Sequence, residues 1–232
     1  MQPPWHLVIF DCDGVLIDSE PVACEVLAST LRRYGINVDA AYVTKRFVGR
    51  ALNALIDDYA AEGTELPSSF RTDLDAALRR GFERSLQPIP GIRHLLDELR
   101  IPYCVASSST LGRVTYSLEL TGLSPYFQQR IFTAESVQRA KPWPDLFEYA
   151  AASMGVPTAQ VLVIEDSVGG VEAARAAGME VWGFVGGGHH HSPENAARVL
   201  SSAGAAFVYT SMGELSDRLL ATEPHDRARP SQ

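Results

Sequence analysis

Acidic residues that could bind a metal ion stand directly after two apolar runs of the sequence. Asp11 and Asp13 follow the apolar residues 7–10. Glu165 and Asp166 follow a second apolar run later in the chain. Carboxylates that are crowded together repel one another, so a group of four needs protons, a cationic partner or a bound metal. Because all the ligand atoms would be oxygen, the pattern favours a hard cation, and Mg²⁺ in preference to Zn²⁺.

Residues that could hold a phosphate group occur in two further segments. Ser107 and Ser108 follow the strand-like residues 102–106, and Lys141 stands before Pro142. Mg²⁺ in proteins typically binds one or two carboxylates together with the phosphate of a substrate. The Lys141 ammonium and the Ser107 hydroxyl could bind the remaining phosphate oxygens. The pattern therefore predicts a phosphoryl group in the site.

Each of these short motifs, taken alone, also has a purely structural interpretation. Asp11 to Gly14 could form a solvated turn, and Glu165 to Ser167 could cap a helix that begins near residue 168. Ser107 could cap the end of a strand, and Lys141 could lie in a surface turn. Four such motifs coincide along the predicted sheet edge, and this coincidence favours a functional site.

The elements that must position these residues alternate between strands and helices. Fully apolar strands that alternate with helices predict a parallel sheet covered on both faces, a doubly wound α/β domain. In such a sheet the carboxyl ends of the strands lie on one edge, where ligands bind. The predicted strands are residues 7–10, 102–106, 161–164 and 181–185, and the predicted helices of this part are residues 91–99, 111–120, 145–154 and 170–177.

The segment after the first strand interrupts this alternation. Four helical patterns occur there without a convincing strand, and residues 87–91 have the composition of a linker back to the α/β part. We therefore predict an all-helical cap domain at residues 17–86, inserted into a core domain of residues 1–16 and 87–232. The predicted cap helices are residues 21–34, 39–47, 52–60 and 69–84.

The order of the motifs resembles that of a known family. Residues 11–16, Ser107, Lys141 with Pro142, and residues 163–167 are similar to the four motifs of the haloacid dehalogenase-like (HAD) superfamily. The helical insertion resembles the type I cap of that family. Within the superfamily, the resemblance is to the subfamily that contains β-phosphoglucomutase, phosphoglycolate phosphatase and sugar-phosphate phosphatases.

The resemblance implies a role for each acidic residue. It makes Asp11 the nucleophile that forms an aspartyl-phosphate, which divides one difficult displacement into two easier ones. It makes Asp13 the acid that protonates the leaving oxygen and then the base that deprotonates water. We expect crowding and burial to raise the pKa of Asp13 toward that role. Asp11, the backbone carbonyl of Asp13 and Asp166 would bind Mg²⁺, with Glu165 as a ligand directly or through water.

Individual residues distinguish this chain from members of the superfamily that catalyse other reactions. Haloacid dehalogenases and phosphonatases lack the second aspartate, so Asp13 argues against both. A β-phosphoglucomutase-like mutase is the main alternative, but mutases carry His where this chain has Ala23, and Lys-Asn where it has Thr110-Leu111. These differences favour hydrolysis. A non-catalytic binding protein on the same fold is a further alternative, which the intact pair of aspartates disfavours.

The composition of the chain limits the kinds of molecule that it is expected to bind. The chain of 232 residues has 20 Lys and Arg against 28 Asp and Glu, a net charge of -8, which argues against binding to nucleic acid or to an anionic membrane. Its 3 cysteines suggest neither disulfides nor a zinc site, and a cytoplasmic location is the simplest expectation. The apolar residues 7–10 are too few for a signal or a membrane span. We expect a small phosphate ester as substrate, a sugar, polyol or sugar acid phosphate, and the oligomeric state stays open.

Two further features invite a functional interpretation. Arg50 follows Gly49 in the predicted cap, where the family commonly places a substrate loop, and is a candidate substrate contact. His189, His190 and His191 follow three glycines and could bind a metal. The glycines favour a flexible loop with solvated histidines instead.

Overall fold

A six-stranded parallel sheet lies at the centre of the structure. The computed structural model describes residues 5–47, 52–190 and 192–221. All neighbouring strands pair in parallel in the order β3-β2-β1-β4-β5-β6, which confirms the predicted doubly wound α/β fold. The strands are β1 (Leu7–Phe10), β2 (Tyr103–Ser107), β3 (Ile131–Thr133), β4 (Val161–Glu165), β5 (Glu180–Phe184) and β6 (Phe207–Tyr209).

Helices connect the strands and form the insertion after β1. Among the described residues, no helix combines the length and the apolar character needed to cross a membrane. The helices are α1 (Ser19–Arg33), α2 (Ala40–Phe47), α3 (Leu52–Ala61), α4 (Ser69–Ser85), α5 (Ile92–Glu98), α6 (Leu111–Leu120), α7 (Ser124–Phe127), α8 (Asp145–Ser153), α9 (Val168–Ala176), α10 (Pro193–Ala203) and α11 (Met212–Leu220).

The central strand β1 is apolar throughout because helices cover both faces of the sheet. Val8 and Phe10 belong to one buried cluster with residues of α5, α6 and α11. Leu7 and Ile9 belong to a second cluster with residues of α8, α9 and α10. All four side chains are fully buried. A strand that faces helices on both sides shows no alternation of polar and apolar residues, which is the pattern of the sequence.

The register of β1 brings the ends of two other strands beside Asp11. Phe10 pairs with Val105 of β2 on one side and with Ile164 of β4 on the other. The Asp11 amide then donates to the Ile164 carbonyl at 2.9 Å. Since β1 lies where the strand order reverses, its carboxyl end is the place where such folds bind ligands.

The sequence pattern did not reveal the two edge strands. β3 and β6 each have only three residues, and most of these side chains are half-buried or exposed. Three residues are too few to show a period in the sequence. The prediction of four strands is therefore incomplete, although each predicted strand is present with a shift of at most one residue at either end.

The described part of the insertion is helical, as the sequence predicts. Apolar residues of α1–α4 form a buried cluster of their own, which includes Ala28, Leu31 and Phe70. The chain leaves and returns through two adjacent segments, since the Asp18 amide donates to the Gln87 carbonyl at 2.9 Å. These observations support an inserted cap, and its predicted limits at residues 17 and 86 stay a prediction.

Truncation of a buried cap residue tests this packing. Leu31 is 0% exposed, so Leu31→Ala should lower the free energy of unfolding by about 2–5 kcal/mol through lost burial and a residual cavity. Leu120 of α6 is 37% exposed, and Leu120→Ala should cost less than about 1 kcal/mol. Urea unfolding followed by circular dichroism measures both. Equal losses would contradict the buried position of Leu31.

Candidate active site

Acidic side chains from the ends of β1 and β4 meet at the carboxyl edge of the sheet. Oxygen atoms of Asp11, Glu165 and Asp166 all lie within 4.8 Å of one another. Asp11 and Glu165 are buried. They line a cavity of about 1790 Å³, which also includes Asp13 and residues of the insertion. The sequence-predicted carboxylates are therefore brought together in one cavity.

The glycine after Asp13 permits this approach. Gly14 has a φ of +79°, a conformation that costs a glycine little. A Cβ atom at this position would overlap the carboxylate of Asp166. Another residue here would be strained at this φ and would displace the Asp166 carboxylate, so glycine favours the close approach of the two loops.

Lys141 joins the two strands that carry the acids. Its Nζ donates to Asp11 Oδ1 at 2.6 Å, to Glu165 Oε1 at 2.6 Å and to the Ala106 carbonyl at 2.9 Å. Burial alone would lower the pKa of Lys141, but Asp11 and Glu165 outweigh burial and raise it. The ammonium therefore remains charged and screens the two carboxylates from each other.

The single positive charge of Lys141 does not neutralise the carboxylates of Asp11, Glu165 and Asp166. Burial raises the pKa of Asp11 to about 7, and Glu165 adds to the rise while Lys141 opposes it. Burial, with Glu165 and Asp11, also raises the pKa of Asp166 well above its ordinary value. The cluster takes up protons near neutral pH unless further positive charge is present. Three carboxylates and no nitrogen or sulfur ligand fit a hard divalent cation such as Mg²⁺.

Both oxygens of Glu165 are already bonded. Oε1 accepts from Lys141, and Oε2 accepts from the Ser167 amide at 3.0 Å and the Ser167 hydroxyl at 2.9 Å. The Ser167 hydroxyl also accepts from the Gly170 amide at 3.0 Å, which caps α9. The predicted capping role of this motif and its place in the site are therefore both present. Glu165 orients Lys141 as well as contributing to the acidic group.

Asp13 has partners that the sequence analysis did not identify. Its Oδ1 accepts from the Ser19 hydroxyl at 2.5 Å and lies 3.2 Å from Arg113 Nη2. Its Oδ2 accepts from the Ser109 hydroxyl at 2.9 Å. Burial raises the pKa of Asp13, but Arg113 and the two hydroxyls outweigh burial, and the pKa is lowered. The expectation of a raised pKa is therefore wrong for this state of the protein, because three donors stabilise the charged carboxylate.

The sequence did carry some signal for these partners. Ser109 belongs to the same serine run as Ser107. Arg113 lies in the first turn of α6, the helix that starts directly after β2, and such a turn faces the ligand edge of the sheet. Ser19 begins α1, where the chain enters the insertion.

The remaining predicted residues have different positions. Ser107 is buried and its Oγ accepts from the Ser109 amide at 3.1 Å. Ser108 is exposed and lines the cavity. Arg50 and His191 lie outside the described residues.

The expectation of solvated histidines is wrong for His189. This residue is only 8% exposed, and its Nε2 lies 3.4 Å from Asp166 Oδ2. The loop folds back because the Gly188 amide donates to Asp18 Oδ1 at 2.9 Å. Asp166, His189 and His190 form a second group whose atoms could hold a metal, one with mixed oxygen and nitrogen ligands.

Comparisons with known proteins agree with this geometry. The family model of the haloacid dehalogenase-like hydrolases matches residues 5–178. The chain is 33% identical over 189 residues to the 6-phosphogluconate phosphatase of Escherichia coli K12, covering 79% of this chain and 84% of that protein. It is 30% identical to a phosphorylated carbohydrates phosphatase of Thermotoga maritima, covering 87% and 93% of the two chains. A HAD family hydrolase of Deinococcus radiodurans R1, crystallised with bound phosphate and sodium, is similar in structure with a TM-score of 0.82 and 32% identity, covering 95% and 97%.

Two adjacent glycines of α9 should respond in opposite directions to alanine. A Cβ atom on Gly170 would overlap the carboxylate of Glu165, so Gly170→Ala should lower the free energy of unfolding by about 1–3 kcal/mol. The atom nearest to a Cβ on Gly169 lies at 3.9 Å, so Gly169→Ala should raise it by about 0.5–1 kcal/mol through reduced backbone entropy in the unfolded chain. Urea unfolding of both variants checks the pair. Stabilisation by both would contradict the tight packing of Glu165 on α9.

Proposed function

The chain belongs to the haloacid dehalogenase-like hydrolases, and we propose that it is a Mg²⁺-dependent phosphatase of a small phosphorylated metabolite, acting through an aspartyl-phosphate. The enzyme class, a phosphoric monoester hydrolase, follows from the family and from the named phosphatases that resemble it. The proposed substrates are sugar, polyol or sugar acid phosphates.

The observation that carries the proposal is the environment of Asp11. Its carboxylate lies at the carboxyl end of the central strand, 2.6 Å from Lys141 Nζ and within 4.8 Å of oxygens of Glu165 and Asp166. A nucleophile for phosphoryl transfer needs adjacent positive charge to offset the charge of the incoming phosphate. Beside Asp11, the Lys141 ammonium is one fixed cation, and the carboxylate oxygens of Glu165 and Asp166 fit a metal ion as a second.

In the proposed reaction an oxygen of Asp11 forms a bond to phosphorus while the bond from phosphorus to the leaving oxygen breaks. Asp13 supplies the proton to the leaving oxygen. In the second step Asp13 removes a proton from water while the water oxygen bonds to phosphorus and the bond from Asp11 to phosphorus breaks, which releases phosphate and restores Asp11. Lys141 and the Ser107 hydroxyl orient the phosphoryl oxygens, and Lys141 can do so from its position beside Asp11. Since Asp13 is ionised in the unliganded arrangement, its donors must rearrange when substrate binds.

The acidic residues named above would hold the metal. Asp11, Asp166 and the backbone carbonyl of Asp13 are the proposed ligands, with Glu165 directly or through water. When bound, Mg²⁺ would offset the negative charge on the phosphoryl group.

The size of the substrate is limited by the insertion. The cavity is bounded by the sheet edge and by helices of the insertion, including Leu55 of α3 and Leu78 of α4. A net charge of -8 gives no long-range attraction for a polyanionic polymer. The named relatives support a phosphorylated carbohydrate as the substrate class. We therefore propose a small phosphate ester rather than a phosphoprotein or a nucleic acid, in the cytoplasm.

Hydrolysis is favoured over the mutase reaction by two positions of the cavity wall. Ala23 and Thr110 line the cavity at positions where the resemblance places His and Lys in mutases. A mutase must hold the second phosphate of a bisphosphate intermediate, and neither Ala nor Thr supplies a cation for it. These positions support release of the phosphate to water.

Asp11→Asn should abolish turnover while the fold stays intact, because an amide is a poor nucleophile of nearly the same shape. Phosphate release from a panel of sugar, polyol and sugar acid phosphates with Mg²⁺ measures the loss. The wild type should also form an acid-stable, hydroxylamine-labile phosphoenzyme that the variant lacks.

The matched control is Asp217→Asn, at an exposed position of α11, which should keep the wild-type rate. A near wild-type rate of Asp11→Asn would contradict the covalent mechanism. Conversion of a hexose 1-phosphate to the 6-phosphate without phosphate release would favour the mutase instead.

Asp166→Ala should weaken Mg²⁺ binding and reduce kcat/KM by about 100-fold or more, because the metal offsets phosphate charge among carboxylates. Isothermal titration calorimetry measures Mg²⁺ affinity without turnover, and Asp217→Ala is the control. Full activity of the wild type in excess EDTA would show that the metal is not required.

A further inference from the structure

Arg113 lies beside Asp13, the proposed acid, and one nitrogen of its guanidinium group has no hydrogen-bond partner among the described residues. Its Nη2 makes a single long contact, 3.2 Å, to Asp13 Oδ1. Its Nε is buried and has no hydrogen-bond partner within the described part of the chain. The guanidinium lies 5.4 Å from the ring centre of Phe82, on α4 of the insertion. It lines the cavity and its side chain is 39% exposed, so a ligand can reach it.

The position of Arg113 relative to the reaction follows from the proposed function, on which this inference rests. Asp13 transfers its proton to the leaving oxygen, so the groups hydrogen-bonded to its carboxylate, Arg113 among them, lie on the leaving-group side of phosphorus. Arg113 is anchored in the first turn of α6, on the core side of the cavity. It therefore faces the carbon skeleton of the substrate rather than the phosphoryl group.

In the described part of the chain, the other lysine and arginine side chains that line the cavity are Lys45, Arg79 and Lys141, and the last two are already paired. Lys141 is 6% exposed and donates to Asp11 and Glu165. Arg79 of α4 pairs with Glu83 one turn away at 3.6 Å and lies over the Tyr116 ring at 4.7 Å. Arg113 differs from Lys141 and Arg79, because its single Nε–H donor has no hydrogen-bond acceptor among the residues that the structure describes.

We propose that Arg113 binds a carboxylate on the leaving group and makes a sugar acid phosphate the preferred substrate. A guanidinium can donate two parallel hydrogen bonds to a carboxylate, and such charge-assisted pairs are stronger than bonds to a neutral hydroxyl. A sugar or polyol phosphate offers only hydroxyl groups at the same place. The guanidinium then makes only hydrogen bonds to neutral hydroxyls, and the neutral substrate binds more weakly.

Two matched substrate pairs test the proposal at two chain lengths. The shorter pair is 3-phosphoglycerate and glycerol 3-phosphate, and the longer pair is 6-phosphogluconate and sorbitol 6-phosphate. Each acid differs from its polyol by a carboxylate in place of a hydroxymethyl group. The kcat/KM of the full chain with Mg²⁺ is measured for all four esters, for the wild type and for Arg113→Gln, Arg113→Lys and Arg79→Gln.

In at least one pair the wild type should prefer the acid by about tenfold or more, since a charge-assisted bond exceeds a neutral one by roughly that factor. Arg113→Gln should remove this preference by lowering kcat/KM for the acid about tenfold more than kcat/KM for the polyol, and circular dichroism checks that the variant is folded. Arg113→Lys should retain part of the preference. Arg79→Gln should leave the acid-to-polyol ratio unchanged.

Three results would overturn the inference. The first is the absence of acid preference in both pairs for the wild type. The second is an equal loss for acid and polyol in Arg113→Gln, which would assign Arg113 to positioning Asp13 instead. The third is hydrolysis of none of the four esters by the wild type. Phosphate release from other esters of the wider panel would then leave the proposed function standing, whereas release from none of them would overturn the proposed function as well.

Discussion

The structure of the site depends on the buried ammonium of Lys141. It contacts the ends of three strands at once: Asp11 after β1, the carbonyl of Ala106 on β2, and Glu165 at the end of β4. Two carboxylates beside each other in a buried place are costly unless a cation lies between them. Removing one partner of such a group leaves an uncompensated buried charge, which is more destabilising than the group itself is stabilising. The three strand ends are therefore tied together electrostatically as well as by backbone hydrogen bonds.

The packing of the sheet makes this arrangement possible. The free energy cost of crowding acids at one edge is offset elsewhere by strands whose side chains are buried on both faces, as β1 and β4 show. Parallel pairing then fixes the positions, because it brings the ends of β1, β2 and β4 to the same edge in register. Gly14 and Gly170 remove the side chains that would otherwise occupy the space of the Asp166 and Glu165 carboxylates. Fold and site are thus consequences of the same strand order.

The four longer strands, the helices of the insertion and the acidic edge with Lys141 were predicted from the sequence. Helices α7, α10 and α11 were not predicted. The edge strands β3 and β6 were also missed, since three residues of an edge strand carry no pattern. The partners of Asp13 escaped prediction because Ser19, Ser109 and Arg113 come from three separate segments, and only the tertiary fold brings their side chains to one carboxylate. His189 escaped for a similar reason, because a glycine run predicts flexibility while Asp18 holds the loop in place.

The environment of Asp13 couples the insertion to the chemistry. Ser19 is the first residue of α1 in the insertion, whereas Ser109 and Arg113 lie on the side of the cavity formed by the core sheet and its helices. Each of these donors stabilises the charged carboxylate, so loss of any one of them raises the pKa of Asp13 toward the range in which it can carry a proton. A small movement of α1 relative to the sheet changes the distance from Ser19 to Asp13, and a ligand that draws Arg113 away removes a second donor. The protonation of Asp13, on which the proposed proton transfer depends, is therefore sensitive to both the position of the insertion and the occupant of the cavity.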